Sequence, residues 1–166
     1  CQSADPVCFQ PASRTPPRGR FYSRYASLLA HLREAGYARI VIVAHSQGSV
    51  ISAELLRYLN ARGRLREVVG KLPVSLVTVG SPLRNLYAER FPLLYRWMGS
   101  REGGFAAAGP AANELGVTEW VNAYRSGDYV GRFVWTPDKD PEIFDIGKTR
   151  RAGNRTGITS SSASAK

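Results

Sequence analysis

Apolar residues follow two different spacings along this chain, and the alternation between them predicts helices and strands in turn. Residues 21–32 repeat apolar positions every three or four residues, which predicts a helix that ends near Gly36. Residues 40–44 form a continuous apolar run rich in β-branched side chains, typical of a strand covered on both faces. Helical spacing returns over residues 50–59 and stops near Gly63.

The same alternation continues through the second half of the chain. The segment VSLVTVGSP (74–82) predicts a second strand, and LRNLYAERFPLLYRWM (83–98) predicts a helix interrupted at Pro92. Residues 99–116 are rich in Gly and Ala and predict a loop, whereas TEWVNAY (118–124) predicts a third strand. Strands that alternate with helices indicate an α/β fold with a parallel sheet.

The ends of the chain differ in composition from its middle. Residues 1–19 hold four of the ten prolines and predict an irregular lead, whereas residues 20–150 are expected to form one partial α/β domain. Residues 151–166 end in TGITSSSASAK, a low-complexity stretch that predicts a disordered tail. No signal peptide or membrane-spanning run is apparent, so a cytoplasmic location is the default expectation. A first residue other than Met suggests a piece of a longer protein.

The net charge of +10 comes mostly from arginine and bears on the partners to expect. A basic surface attracts phosphates and anionic lipid. No nucleic-acid module or interleaved stacking aromatics accompany the arginines, so we expect a solvated basic surface, with an anionic membrane as a candidate partner and no nucleic acid. Cys1 and Cys8 are too few for a metal site and are expected to be free thiols.

One stretch, VIVAHSQGSVIS (41–52), has the pattern that holds a nucleophilic serine between a strand and a helix. Ser46 stands at the sharp turn, and we expect the backbone to crowd the positions two residues before and two residues after it. Ala44 and Gly48 are small enough for such positions. The turn would raise Ser46 to the carboxyl edge of the sheet, with the Gln47 backbone N–H aimed at a developing oxyanion. The alternative is that Ser46 only caps the helix.

Three stretches, VIVAHSQGSVIS, VTVGSP and WVNAYRSGDYVGR, together resemble the C-terminal half of an α/β-hydrolase of the lipase and esterase type. The first is similar to the nucleophile elbow, the second to the next strand, and the third to the strand and loop that carry the catalytic acid. The resemblance implies a three-layer sandwich with a mostly parallel sheet. The sheet would be incomplete on its N-terminal side, so a missing N-terminal segment of the same protein is an expected partner.

The triad of that family runs Ser, then Asp or Glu, then His along the chain. Asp128 matches the acid because it follows the third predicted strand in a Gly-containing loop, on the same sheet edge as Ser46. Asp138, Asp140 and Asp145 are rivals, although TPDKDPEIFD follows no predicted strand. A solvated loop aspartate is the alternative for all four.

The histidine of the triad is missing from its expected place. His31 and His45 are the only histidines, and both precede Asp128. We expect His45 to point away from Ser46 and pack beneath the turn, and His31 to lie at or near the surface of the first helix. Similar hydrolases carry the base in a loop of the type GNHTGY, where this chain has AGNRTGI with Arg155 in the histidine position. Arginine cannot accept a proton at neutral pH.

The resemblance implies a serine hydrolase that cleaves carboxylic esters by acyl transfer through Ser46, impaired because the base is absent. Its substrate would be a small-molecule ester or a lipid, and no metal or organic cofactor is implied. Two alternatives remain: a catalytically inactive binding or scaffold domain in which Arg155 pairs with Asp128 or an anion, and a basic peripheral module that binds anionic lipid or nucleic acid.

Overall fold

The computed structural model of the protein describes residues 17–99, 110–125, 127–131, 133–135 and 156–162, the last of these as backbone only. Its helices and strands alternate along most of the chain. The helices are α1 (Pro17–Glu34), α2 (Gln47–Ala61) and α3 (Leu65–Val69), and the strands are β1 (Ile40–His45), β2 (Val74–Val79), β3 (Glu119–Arg125) and β4 (Thr156–Ser162).

The strands form one sheet in the order β1-β2-β3-β4. β1 pairs in parallel with β2 and β2 in parallel with β3, whereas β4 runs antiparallel along β3. The prediction of a mixed α/β fold with a parallel sheet is therefore confirmed. β4 lies within residues 151–166, where the sequence predicted a disordered tail. Low-complexity composition indicates that the side chains pack weakly. It does not show whether another strand, here β3, offers an edge with which the segment can pair.

The core lies on the sheet face that the helices cover. Ile42, Leu76 and Trp120 stand side by side across β1, β2 and β3, and all three are buried. The indole N–H of Trp120 donates to Thr78 Oγ1 at 3.1 Å, and Thr78 Oγ1 in turn donates to Asn122 Oδ1 at 2.8 Å. The polar groups buried in this row therefore have partners, as a stable interior requires.

Helix α1 packs through part of the face that the apolar spacing predicted: Tyr25, Leu29 and Leu32 contact the core, whereas Phe21 and Leu28 are exposed. Leu29 is buried, but Leu28 is 54% exposed. The Tyr25 hydroxyl lies 3.0 Å from Ser52 Oγ of α2, and Tyr22 donates to Glu54 at 2.9 Å. These long-range hydrogen bonds to α2 fix the orientation of the helix. No helix in the described part of the chain is long and apolar enough to cross a membrane.

The segment from residue 83 to residue 98 is less helical than predicted. It begins as a π-helical turn, Leu83–Ala88, and ends as a short 3-10 helix, Arg96–Met98. Between them Pro92 lies in a tight turn, so the interruption predicted at this residue is confirmed. The buried side chains of this segment are Leu83, Tyr95 and Met98.

The opposite face of the sheet is open at β1 in the described residues. Val41 is 51% exposed and Val43 72% exposed, while Ile40, Ile42 and Ala44 are buried. The prediction that β1 is covered on both faces is wrong for this part of the chain. A continuous apolar run shows that a strand can be buried on both faces, but the described helices cover only one of them.

Gly116 lies where the segment before β3 packs against the end of α2. Asn60 of α2 donates to the backbone oxygen of Asn113 at 2.8 Å. Gly116 has a φ of +68°, and a Cβ placed on it would lie 2.4 Å from Leu65 Cδ2 and 2.6 Å from Asn60 Oδ1. A side chain at this position would therefore strain the backbone and also displace a buried leucine.

We expect Gly116→Ala to lower the free energy of unfolding by about 2–4 kcal/mol, since left-handed strain and overpacking add. Gly63→Ala is the matched control, because Gly63 has a φ of +67° but no atom within 4 Å of an added Cβ. The control should cost only about 1 kcal/mol, the strain alone. Urea unfolding measures both values. Equal losses in the two variants would show that the contact with Leu65 is unimportant.

Candidate active site

Ser46 has a backbone conformation that L-amino acids rarely adopt. Its φ is 50° and its ψ is −123°, and it is the only residue other than glycine with a positive φ in the described segments. Such strain persists where the surrounding structure enforces it, and it is concentrated at functional sites. The Ser46 N–H donates to Val79 O at 3.0 Å, so the strained residue is fixed to the end of β2.

The Ser46 hydroxyl makes no capping hydrogen bond to α2. Instead, the buried hydroxyl of Ser49 donates to Ala44 O at 3.1 Å and so links the start of α2 to the end of β1. The interpretation of Ser46 as a simple helix cap is therefore not supported. Ser46 stands directly after the carboxyl end of β1, at the edge of the sheet.

The two residues expected to be small differ in their surroundings. Ala44 is buried, with 6% of its surface exposed, so its small side chain fits a confined site. Gly48 has no described atom outside its own helix turn within 4 Å of an added Cβ. The crowding expected at Gly48 is therefore absent from the described part of the chain, because no neighbouring element packs on that side of the first turn of α2.

Gln47 begins α2, and its backbone N–H is among those at a helix N-terminus that lack an intrahelical acceptor. The positive end of the helix dipole adds to its attraction for a negative charge. The side chain of Gln47 accepts a hydrogen bond from the Tyr87 hydroxyl at 2.8 Å. Tyr87 was not identified from the sequence, because a tyrosine in an apolar helical stripe gives no sign of a distant polar partner.

Asp128 lies in the loop that follows β3, and the loop is built around its carboxylate. Asp128 Oδ1 accepts the backbone N–H groups of Gly131 at 3.0 Å and Val130 at 2.9 Å. These two hydrogen bonds, that of Gly131 first, hold the pKa of Asp128 below its usual value. The carboxylate is therefore ionised at neutral pH, as an acid that orients an imidazole must be.

Gly80 is the point at which the ends of β1, β2 and β3 meet. Its N–H donates to Ala123 O at 3.0 Å, and a Cβ placed on Gly131 would lie only 2.2 Å from the Gly80 carbonyl carbon. A Cβ placed on Gly80 itself would lie 3.5 Å from Asp128 Oδ2 and 3.7 Å from His45 Nε2. The described structure thus brings His45 and Asp128 close to the same glycine.

His45 is exposed, so the expectation that it packs beneath the turn is wrong. Because β1 and β2 are parallel and end together, His45 stands opposite Val79, directly before the turn at Gly80. The position of His45 follows from this strand register, which cannot be read from the sequence. His31 is exposed on α1, as expected.

Several residues considered from the sequence lie outside the described residues. Among the residues that the structure does describe, no group of three or more His, Cys, Asp and Glu side chains is placed to hold a metal ion. Outside the description are Arg155, the rival acids Asp138, Asp140 and Asp145, and the thiols Cys1 and Cys8.

A cleft of about 280 Å³ begins at Gln47, one residue after Ser46. Glu54 of α2 lies in it and pairs with Arg18. Glu54 also accepts hydrogen bonds from Tyr22 at 2.9 Å and from Tyr95. Burial raises the pKa of Tyr95 to about 12, so this phenol remains a neutral donor. The cleft is therefore lined on one part by hydrogen-bonded polar groups and on another by apolar side chains, which include Phe21, Val50 and Ile51.

No family model, curated protein or solved structure matches this chain. The site is consequently defined by its own geometry. That geometry places the strained Ser46, the Gln47 N–H at the start of α2 and the ionised Asp128 at one edge of the sheet, with His45 and Asp128 both close to Gly80.

We expect Gly131→Ala to disrupt the loop after β3, because its Cβ would collide with the backbone of Gly80. The loss in free energy of unfolding should be about 1–3 kcal/mol, with increased amide exchange at Val130 and Gly131. Gly48→Ala is the control, since its Cβ has open space. Hydrogen exchange measured by NMR compares the two variants. Unchanged protection in Gly131→Ala would contradict the close approach.

The lowered pKa of Asp128 predicts a pH-dependent contribution to stability. A carboxylate whose folded pKa lies below its ordinary value of 3.8 stabilises the folded state above that value. The contribution is lost as the pH falls through the lower, folded pKa. The free energy of unfolding of the wild type should therefore exceed that of Asp128→Asn at pH 7, and the difference should diminish as the pH falls through the lowered pKa of Asp128. A difference that is independent of pH would contradict this origin.

Proposed function

We propose that this chain carries the nucleophile and the acid of an α/β-hydrolase-like serine hydrolase that acts on carboxylic esters. The observation that carries the proposal is the backbone of Ser46, with φ 50° and ψ −123°, between a parallel strand and a helix. A strained strand-to-helix turn of this kind exposes a serine hydroxyl at the top of the sheet. The resemblance in the stretches around Ser46 and Asp128 supports the same proposal.

In the proposed reaction, Ser46 Oγ attacks the ester carbonyl carbon and its proton passes to a base. The carbonyl oxygen gains the negative charge, which the Gln47 N–H and the positive end of α2 stabilise. The alcohol leaves with a proton returned by the base, and water then hydrolyses the acyl-enzyme. Asp128 is suited to orient the base because its carboxylate is ionised and its Oδ2 lies near the sheet edge.

The base is the missing part of this site, and the proposal therefore includes impaired turnover. No histidine follows Asp128 in the sequence, and Arg155 stands where similar hydrolases have one. His45 lies near Asp128 as the last residue of β1, directly before the nucleophile. It belongs to the exposed face of β1 with Val41 and Val43, whereas Ser46 stands at the strained turn after the strand, so we do not assign His45 as the base.

The open face and edge of β1 support the further proposal that the three-layer sandwich is completed elsewhere in the same protein. Ser46 N–H and Ile40 N–H bond to backbone oxygens on the β2 side. The alternate residues of β1 then direct their backbone groups away from β2, toward an edge that no described strand occupies. Val41 and Val43 on the open face would be covered by the same additional elements.

The second candidate function is a binding domain built on the same site without turnover. It is favoured by one observation, the absence of any histidine after Asp128. In that case Arg155 would pair with Asp128 or with an anionic ligand. The two candidates predict different behaviour when a histidine replaces Arg155.

Covalent labelling by a fluorophosphonate, located by mass spectrometry, tests the proposal. We expect slow labelling of Ser46 in the wild type and none at this site in Ser46→Ala. Arg155→His should accelerate the labelling strongly, because loss of a triad residue costs up to about 10⁶-fold in turnover. Asp128→Asn should remove most of that gain. Ser27→Ala, which changes an exposed serine of α1, is the control and should leave labelling of Ser46 unchanged.

Failure of Ser46 to label in every variant that unfolds cooperatively would refute a nucleophilic role. Labelling of Ser46 at the same rate with Arg155 and with histidine would refute the assignment of the base position. If His45→Gln abolished the labelling of the wild type, the histidine beside Asp128 would be the base despite its place in the strand.

A further inference from the structure

We propose that the turn formed by residues 91–94 is a docking surface for an anionic lipid bilayer. Phe91 is 52% exposed, Leu93 73% and Leu94 72%. The Leu94 N–H donates to Phe91 O at 3.0 Å, so these side chains share one tight turn. A group of large apolar side chains exposed together to water is often a site of interaction. We call residues 91–94 the apolar turn.

The apolar turn is fixed from below, so its exposure follows from the packing of the segment. Tyr95, the next residue, is buried, and its N–H also donates to Phe91 O at 3.0 Å. The Tyr95 hydroxyl donates to Glu54 of α2, and the rings of Tyr87 and Phe91 lie 6.4 Å apart. With these contacts holding its base, the turn cannot fold its leucines into the core without breaking the contact between Tyr95 and α2.

Charge identifies the partner that this surface fits. Arg90 and Arg96 flank the apolar turn on both sides, and both are exposed. The whole chain carries a net charge of +10. Long arginine side chains can reach lipid phosphates while adjacent apolar residues enter the boundary of the acyl chains. Anionic lipid headgroups attract such basic residues electrostatically.

The size of the surface favours a bilayer over a second copy of the chain. Three partly exposed side chains offer a few hundred Å², whereas a stable protein interface buries roughly 800 Å² on each partner. A bilayer has no such requirement, because a few inserted side chains and nearby cations act together. The convex shape of a tight turn also suits insertion into a deformable surface. Binding of this kind does not depend on any reaction at Ser46.

Sedimentation with lipid vesicles tests the proposal on the full chain. We expect binding to vesicles of phosphatidylcholine with phosphatidylglycerol and much weaker binding to phosphatidylcholine alone. The double variant Leu93→Ser, Leu94→Ser should reduce partitioning roughly tenfold or more, because several buried carbons are lost. Leu28→Ser, which changes an exposed leucine of α1, is the matched control and should bind as the wild type does.

The arginines require a separate comparison at equal net charge. Arg90→Gln with Arg96→Gln should weaken binding to the anionic vesicles clearly more than Arg24→Gln with Arg66→Gln, two exposed arginines elsewhere. Leu94→Trp supplies a direct report of insertion, since its fluorescence should shift to the blue and be quenched by brominated acyl chains. Circular dichroism checks that each variant is folded.

The proposal is overturned if the leucine variant binds as tightly as the wild type, or if Leu28→Ser loses as much. It is also overturned if neutral and anionic vesicles bind equally, or if the two arginine pairs have the same effect. A concentration-dependent dimer that the leucine variant abolishes, without vesicle binding, would assign the turn to a second copy instead. Ser46→Ala should bind vesicles normally, so loss of the proposed chemistry and loss of docking are distinguishable.

Discussion

Parallel pairing of β1, β2 and β3 is the constraint on which the candidate site depends. Because parallel strands all end at the same edge of the sheet, the residues that follow them lie close together although they are far apart in the sequence. Ser46 follows β1, Gly80 follows β2 and Asp128 follows β3. The register fixes the heights of these ends, since His45 stands opposite Val79 and Val79 opposite Ala123. A shift of one residue in either pairing would separate the serine from the aspartate.

Glycine at positions 80 and 131 converts this common edge into a close approach. The backbone of the loop after β3 packs directly against the backbone of the turn after β2. Only a residue without a Cβ permits this approach. The loop therefore packs directly on the turn after β2, and Asp128 is held by two backbone N–H groups within it. Those same bonds occupy Asp128 Oδ1, which leaves Oδ2 as the atom nearest to Gly80 and available to a partner.

The parts of this fold that could be predicted are those determined by neighbours in sequence. The strand over residues 40–44, the serine turn and the helix after it are local patterns, and the structure has them all. The orientation of α1 could not be predicted, because it is set by hydroxyl contacts from Tyr22 and Tyr25 to α2. The exposure of His45 and the pairing of β4 also depend on which elements cover a face or an edge. Apolar periodicity contains no information about such long-range partners.

Two apolar surfaces of the chain are exposed in different ways, and the difference bears on what each can bind. Val41 and Val43 lie on a pleated sheet face beside a strand edge with which no described strand pairs, so the cover proposed for them would supply backbone hydrogen bonds as well as side chains. A bilayer interior cannot do this, whereas another strand and helix can. The turn of residues 91–94 protrudes and carries arginine on both sides, and two backbone bonds to Phe91 O already close it. It thus suits a fluid surface, whereas the cover proposed for β1 is another strand of a folded protein.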